Sequence, residues 1–430
     1  MTDQALGAPS PAAARPAARG QVAAAVVGNA LEFYDFIVYT TFAVQIGNAF
    51  FPGQSEFVKL LQALIALGVG FVSRPIGAIV IGRLGDRYGR RPAMLLTFGL
   101  MGVGIVGLTL TPSFAAIGYA APVLVVIFRL IQGFARGGEV GPTTAFLIEA
   151  AGPHERGLFG AWQGASQGLA SLAGAVVGIA VIGTLGGAAL EAWGWRLAIG
   201  LGAVILPVGY VLRQRLIETA HHIEVPSAVQ PTRPDILSHA RVLALGVGLI
   251  MSATIATYVF SFLTPYATTF LHMGAGVSLG VTVVTGAAIF AGSLAGGWLS
   301  DKVGRRALMF WPRLAVIVLA VPGFQLIIWR RDGLTLFAVA GLLAFMNSAS
   351  SSPAITALTE SVRKEVRSVA VAATYSIAVA VFGGSTQPIV AWIIHVTGNN
   401  LLVPAYYMAA ASVVALIAGL MMRESAPPRT

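Results

Sequence analysis

Six charged side chains fall within runs otherwise suited to hydrocarbon: Glu32, Asp35, Arg74, Arg129, Arg136 and Glu139. A charge at the centre of a membrane helix costs roughly 2.5–3.5 kcal/mol, so six unpaired ones would cost on the order of 15–20 kcal/mol, more than a domain's usual stability. They must pair with one another or line a solvated cavity. Arginine keeps its proton, whereas a carboxyl group in an apolar cavity can take one up. A proton on Glu32 or Asp35 leaves one positive charge in surplus, which favours an anion. Losing that proton restores the internal pairs and favours release. Proton and anion binding then support each other, as symport requires. The bland alternative is that these charges only fix helix positions, with Arg74 and Glu139 as the strongest candidates for a structural charge pair.

Spacing adds to this reading. Arg129, Gln132, Arg136 and Glu139 are three, four and three residues apart and share one helix face, while Gly133, Gly137 and Gly141 form a stripe for a close neighbour. Asn29, Glu32 and Phe36 share a face, with Asp35 beside it. Elsewhere Gln163 and Gln167 lie one turn apart, and Thr254, Thr257, Tyr258, Ser261 and Thr264 follow helical spacing. Asn347 precedes Ser350, Ser351 and Ser352, and Tyr375 precedes Gln387. Buried amides and phenols need partners, whereas Ser and Thr readily bond their own helix. The substrate-binding candidates are therefore Asn29, Arg129, Gln132, Arg136, Gln163, Gln167, Tyr258, Asn347 and Tyr375. Gly160, Gly164 and Gly168 read as packing residues.

The elements that must hold these residues follow from composition. Of 430 residues 56% are hydrophobic and 10% charged, with mean hydropathy +0.80, far from the quarter charged of a soluble domain. A membrane span needs about 20 residues, which leaves room for about a dozen. Apolar runs place them near 22–48, 57–82, 93–111, 116–148, 157–184, 194–213, 240–270, 277–299, 308–329, 334–358, 368–395 and 402–422. The predicted fold is an all-α integral membrane protein with twelve transmembrane helices in two six-helix bundles. Residues 1–20 form a disordered cytoplasmic tail, 21–213 the first bundle, 214–239 a cytoplasmic linker, 240–423 the second bundle and 424–430 a second tail. With both termini cytoplasmic, 20 of the 27 Lys and Arg residues lie on the inner side, Arg313 counted among them. The net charge of +10 therefore belongs to the membrane face and not to nucleic acid.

Other classes fall away. The chain has no cysteine and only three lysines, Lys59, Lys302 and Lys364, with no phosphate-binding loop for a nucleotide. No metal cluster or nucleophile–base pair falls within the spans, so an enzyme is not expected. Nor is a cofactor, which leaves a proton gradient as the energy source. Two loops match at an offset of 215 residues: Gly82, Asp86, Arg87, Gly89, Arg90 and Arg91 answer Gly297, Asp301, Lys302, Gly304, Arg305 and Arg306. Glu149 and Arg156 likewise answer Glu360 and Arg367. Parallel repeats of this kind are a transporter device, and the loop charges, including Asp86 and Asp301, suit a cytoplasmic gate. Arg313 and Glu360 read as lying near cytoplasmic span ends.

These residues together resemble the major facilitator superfamily and, within it, the metabolite:proton symporter family. The marks are Gly28-Asn29-x-x-Glu32-x-x-Asp35-Phe36, Arg74-Pro75-Ile76-Gly77, and Arg129-x-x-Gln132-Gly133-Phe134-x-x-Gly137-Gly138-Glu139. Trp193-Gly194-Trp195-Arg196, Phe382-Gly383-Gly384 and the twin loops complete them. Trp162-Gln163 with Ser166-Gln167, and Ala357-Leu358-Thr359-Glu360, look closest to the citrate and tricarballylate branch. The resemblance implies alternating access and uptake of an organic acid or osmolyte with protons. It also implies coupling through Glu32 or Asp35 with Arg129 as partner. Arg136 departs from the family pattern, as an extra carboxylate clamp or as a partner of Glu139, and Leu197-Ala198 and Ser350 to Ser352 depart too. The expectation is a monomeric inner-membrane importer of a di- or tricarboxylate such as citrate. A proline or betaine symporter and a shikimate-like monocarboxylate symporter stand as alternatives.

Overall fold

The computed structural model describes residues 15–88, 90–138, 144, 147–148, 150–152, 154–203, 207, 240–363 and 367–426. All regular elements among them are helical. The first group comprises α1 (Arg15–Thr41), α2 (Ala43–Phe50), α3 (Glu56–Val72), α4 (Arg74–Tyr88), α5 (Arg90–Leu110), α6 (Phe114–Ile117), α7 (Ala120–Ala135) and α8 (Arg156–Ala189). A 3₁₀ turn, Arg136–Gly138, ends α7, and a π-helical turn, Leu190–Gly194, follows α8. The second group comprises α9 (Ala240–Thr269), α10 (Ala275–Val303), α11 (Arg305–Arg330), α12 (Gly333–Glu360), α13 (Arg367–Ala378), α14 (Gly384–Val396) and α15 (Val403–Met421), with a π-helical turn, Val379–Gly383, joining α13 to α14.

Eight helices among the described residues are long and apolar enough to cross a membrane, and Leu96–Leu110 and Ala120–Ala135 are shorter apolar ones. Two further expected spans correspond to α1 and to the helical residues 195–203. The helix α1 starts at Arg15, inside the stretch expected as a tail; residues 1–14 and the linker 214–239 lie outside the described residues. Large apolar side chains such as Leu334, Leu110, Val72 and Trp329 are exposed. On a helix of this hydropathy such exposure marks a lipid-facing surface.

Close backbone contacts fix the helices that carry the charges. A Cβ at Gly133 would collide with the Gly70 carbonyl, and one at Gly137 with the Arg74 carbonyl. The backbones of α3 and α4 therefore lie directly on α7 and its 3₁₀ turn, as the glycine stripe predicts; Gly141 lies outside the described residues. The two groups meet through α8 on α10 and α12, α3 on α14, and α1 on α9. One apolar core joins Phe36, Ile37 and Phe71 to Ile250, Tyr258 and Leu358, and a second joins Leu60 and Leu64 to Val259 and Phe262. The second of the matching loops breaks the chain between α10 and α11 at Gly304; its counterpart Gly89 lies outside the described residues. At Gly304 φ is 97°, a left-handed conformation that favours glycine.

Candidate functional site

Among the described residues the charged residues buried as a whole are Asp35 and five arginines, namely Arg74, Arg129, Arg136, Arg305 and Arg313. Asp35 on α1 and the polar face of α7 form one cluster. Arg129 Nη1 donates to Asp35 Oδ2 at 3.0 Å and to Gln132 Oε1 at 2.7 Å, and Gln132 Nε2 donates to Asp35 Oδ1 at 3.3 Å. Arg136 Nη2 donates to the same Asp35 Oδ2. The Arg129 guanidinium lies 3.7 Å from the centre of the Tyr39 ring, a cation–π contact. Two guanidiniums thus share one carboxylate, while Arg129 Nε and Nη2 and Arg136 Nε find no partner among the described residues. The side chains of Glu32 and Glu139 lie outside the described residues. Arg74, expected beside Glu139, stands 4.3 Å from the Phe71 ring centre.

A small cavity lies between the two groups, walled by α8 on one side and by α9, α10, α12 and α13 on the other. Of the nine substrate-binding candidates, Gln163, Gln167, Tyr258, Asn347 and Tyr375 line it, whereas Asn29, Arg129, Gln132 and Arg136 do not. Asn29 instead ties α1 to α8, with Nδ2 donating to Gln163 O at 3.1 Å and to Ser166 Oγ at 2.6 Å. Gln163 Nε2 is buried without a partner among the described residues, leaving a donor on the cavity wall. The cluster and the cavity touch through aromatic rings. Phe36, next in sequence to Asp35, packs 4.6 Å from Tyr258, and Phe71 lies 6.0 Å and 5.6 Å from these two.

The second group holds a buried charge that sequence reading put at a span end. Arg313 lies eight residues into α11, roughly 12 Å along the helix axis, and is 1% exposed. Its partners are the hydroxyls of Ser252, Ser350 and Ser351 and the Asn347 amide oxygen, the last at 2.7 Å. The sequence reading gives Arg313 a depth near a span end; helix packing adds that its side chain is buried among α9, α11 and α12. The available signal was Asn347 with Ser350 and Ser351, which share a face of the next span.

At the loop end of the helices the second repeated loop reaches the first group. Asp301 Oδ1 and Oδ2 accept from the backbone N–H groups of Gly157 and Leu158, both at 2.9 Å, in the first turn of α8. A carboxylate at a helix N-terminus satisfies orphan donors and complements the dipole. Arg305 Nη1 donates to Asp301 at 2.6 Å and its Nη2 meets Glu360 at 3.3 Å, while Glu424 accepts from the Arg305 and Arg306 backbone N–H groups at 2.9 and 3.0 Å. Gly297 faces the Gly157 carbonyl, so it too belongs to the contact between groups. Of the first loop's gate candidates, Arg87 is exposed beside Tyr88. The surroundings of Gly82, Asp86, Gly89, Arg90 and Arg91 lie outside the described residues.

Membrane-length helices in two groups around a polar cavity, joined at one end by a repeated charged loop, define a polytopic membrane transporter. The chain belongs to the Major Facilitator Superfamily, whose family model matches residues 26–388. It is 34% identical over 421 residues to a citrate-proton symporter of Salmonella typhi, covering 96% of each chain. It is also 32% identical over 426 residues to a proline/betaine transporter of Escherichia coli strain K12, covering 95% of this chain and 84% of the other. Its fold matches a partially occluded, inward-open structure of the xylose transporter XylE from E. coli, with TM-score 0.69, 16% identity, and 96% and 99% of the two chains covered.

Proposed function

We propose that this transporter imports a small di- or tricarboxylate, citrate-like in size and charge, together with protons. The observation that carries this reading is the pair of guanidiniums, Arg129 and Arg136, held by the single carboxylate of Asp35. A proton on Asp35 releases positive charge that an organic anion can answer, and the proton's departure recaptures the arginines and expels the anion. Phe36 and Tyr258 link that exchange to the cavity. The citrate-proton symporter likeness supports both the anion and the proton. No covalent step or cofactor is needed, and the proton gradient supplies the drive. The working unit is a monomer in the inner membrane: two six-helix bundles joined by a linker near 214–239, with both termini cytoplasmic. Asp301 and the α8 N-terminus close the cytoplasmic side, and Asp86 in the first loop has the matching role.

One observation favours a second reading. Phe33, Tyr258 and Tyr375 line the same cavity, and aromatic faces suit a quaternary ammonium group, as a betaine carrier would need. Uptake into proteoliposomes under an imposed inward proton gradient separates the two. Citrate or tricarballylate should accumulate in wild type and fail to do so in Arg129→Ala. Accumulation of betaine or proline alone would reject the carboxylate reading.

A further inference from the structure

We infer that Arg313 is a positioning and specificity residue, one that makes the α12 wall of the cavity an anion subsite centred on the Asn347 amide. This rests on the proposal that the cavity takes a carboxylate. A guanidinium can only donate. Arg313 Nη1, 2.7 Å from Asn347, therefore fixes the amide with its oxygen turned to the arginine, and the Asn347 NH₂ becomes the free end. That end has no hydrogen-bond partner among the described residues, and Asn347 lines the cavity. Ser351, which also lines the cavity, accepts from Arg313 Nη2 at 3.0 Å and donates its own proton to the Asn347 backbone carbonyl one turn earlier at 2.8 Å. The arginine's charge thus reaches the wall through one polarised neutral group, the Asn347 side-chain amide.

The charge itself argues against a purely structural role. Arg313 has no carboxylate among its described partners, which are three serines and an amide. Knitting α9, α11 and α12 together through hydroxyls needs no net charge, and burying one is costly unless an anion answers it. A substrate carboxylate at Asn347 would supply that anion. Gln163 Nε2, the unpartnered donor contributed by α8, offers a second hydrogen bond from the other group. A ligand held there contacts both halves of the molecule at once.

The test is calorimetric binding of tricarballylate and of citrate to the purified full chain, alongside ligand-free melting. In Arg313→Gln the dissociation constants should rise roughly ten- to a hundredfold, the span of a lost charge-assisted hydrogen bond, with substantial recovery in Arg313→Lys. If Arg313→Gln does not fold, Asn347→Asp serves, because it gives Arg313 a carboxylate while replacing the NH₂ donors with negative charge; it should melt near wild type and lose tricarballylate. A lower melting temperature with unchanged dissociation constants would reduce Arg313 to a structural tie and overturn the inference, as would wild-type binding in Asn347→Asp. Wild type that ignores every carboxylate would overturn the proposed function as well. Wild type that binds tricarballylate, with Arg313→Gln binding it equally, would overturn only the role of Arg313.

Discussion

Around Asp35 the first group of helices answers two guanidiniums with a carboxylate, whereas around Arg313 the second group answers one guanidinium with three hydroxyls and an amide. A carboxylate can accept a proton; a serine or asparagine side chain does not titrate in water's accessible range. The first cluster can therefore change its net charge during a cycle, and the second holds a constant one. Under the proposed function this asymmetry would divide labour: the Asp35 cluster would exchange the proton and release charge to the anion, and Arg313 would add an attraction that does not change.

The largest effect should come from removing the titratable member. Asp35→Asn leaves Arg129 and Arg136 without their carboxylate, which should cost about 3–5 kcal/mol of stability, as for other broken buried pairs, and abolish proton-driven accumulation. Thermal melting and proteoliposome uptake read the two losses separately. Retained gradient-driven uptake would erase the contrast between the halves.

A smaller effect is expected at the loop end. Asp301→Asn keeps one acceptor for the α8 N-terminus but loses the charge that Arg305 and the helix dipole answer. The change of about 1–2 kcal/mol should appear as a shifted conformational equilibrium. Because the chain has no cysteine, a Ser352→Cys probe in the cavity wall can report it. Its labelling from the loop side should rise roughly five- to thirtyfold when Asp301 is changed, and equal labelling would show that Asp301 is no latch.

The smallest effect concerns Glu424, after the last span. Burial raises its pKa, but backbone N–H donors from Arg306, Ala426, Arg305 and Ser425 outweigh that and hold it below the ordinary 4.5. A lowered folded pKa contributes stability that is complete above the unfolded value and lost as pH falls through the folded one. Glu424→Gln should therefore cost less than about 1 kcal/mol near pH 7, with the difference from wild type fading below pH 4.5. A difference that grew on acidification would have the wrong sign.

Much of this arrangement was legible in the amino-acid order because membranes impose strong rules. The Gly133 and Gly137 stripe announced a tight neighbour, and the second of the matching loops announced the helix junction at Gly304. The three–four–three spacing put Arg129, Gln132 and Arg136 on one face, and all three reach Asp35. What spacing could not give was the third dimension. The partner of Arg136 was open between a clamp and Glu139, three residues away; the contact observed is with Asp35, 101 residues earlier, set by how α1 lies against α7. The burial of Arg313 was hidden for the same reason, since distance from a loop measures depth along a helix and says nothing about which face is buried. The placement of Arg129 and Arg136 on Asp35, away from the cavity wall, likewise depends on helix packing.

The most direct test of the central claim is proton uptake on citrate or tricarballylate binding, obtained by calorimetry in buffers of different ionisation enthalpy. Wild type should take up a proton with the ligand as Asp35 becomes neutral, and Asp35→Asn should bind without that uptake. The same proton uptake in both would contradict the account and remove Asp35 from the coupling.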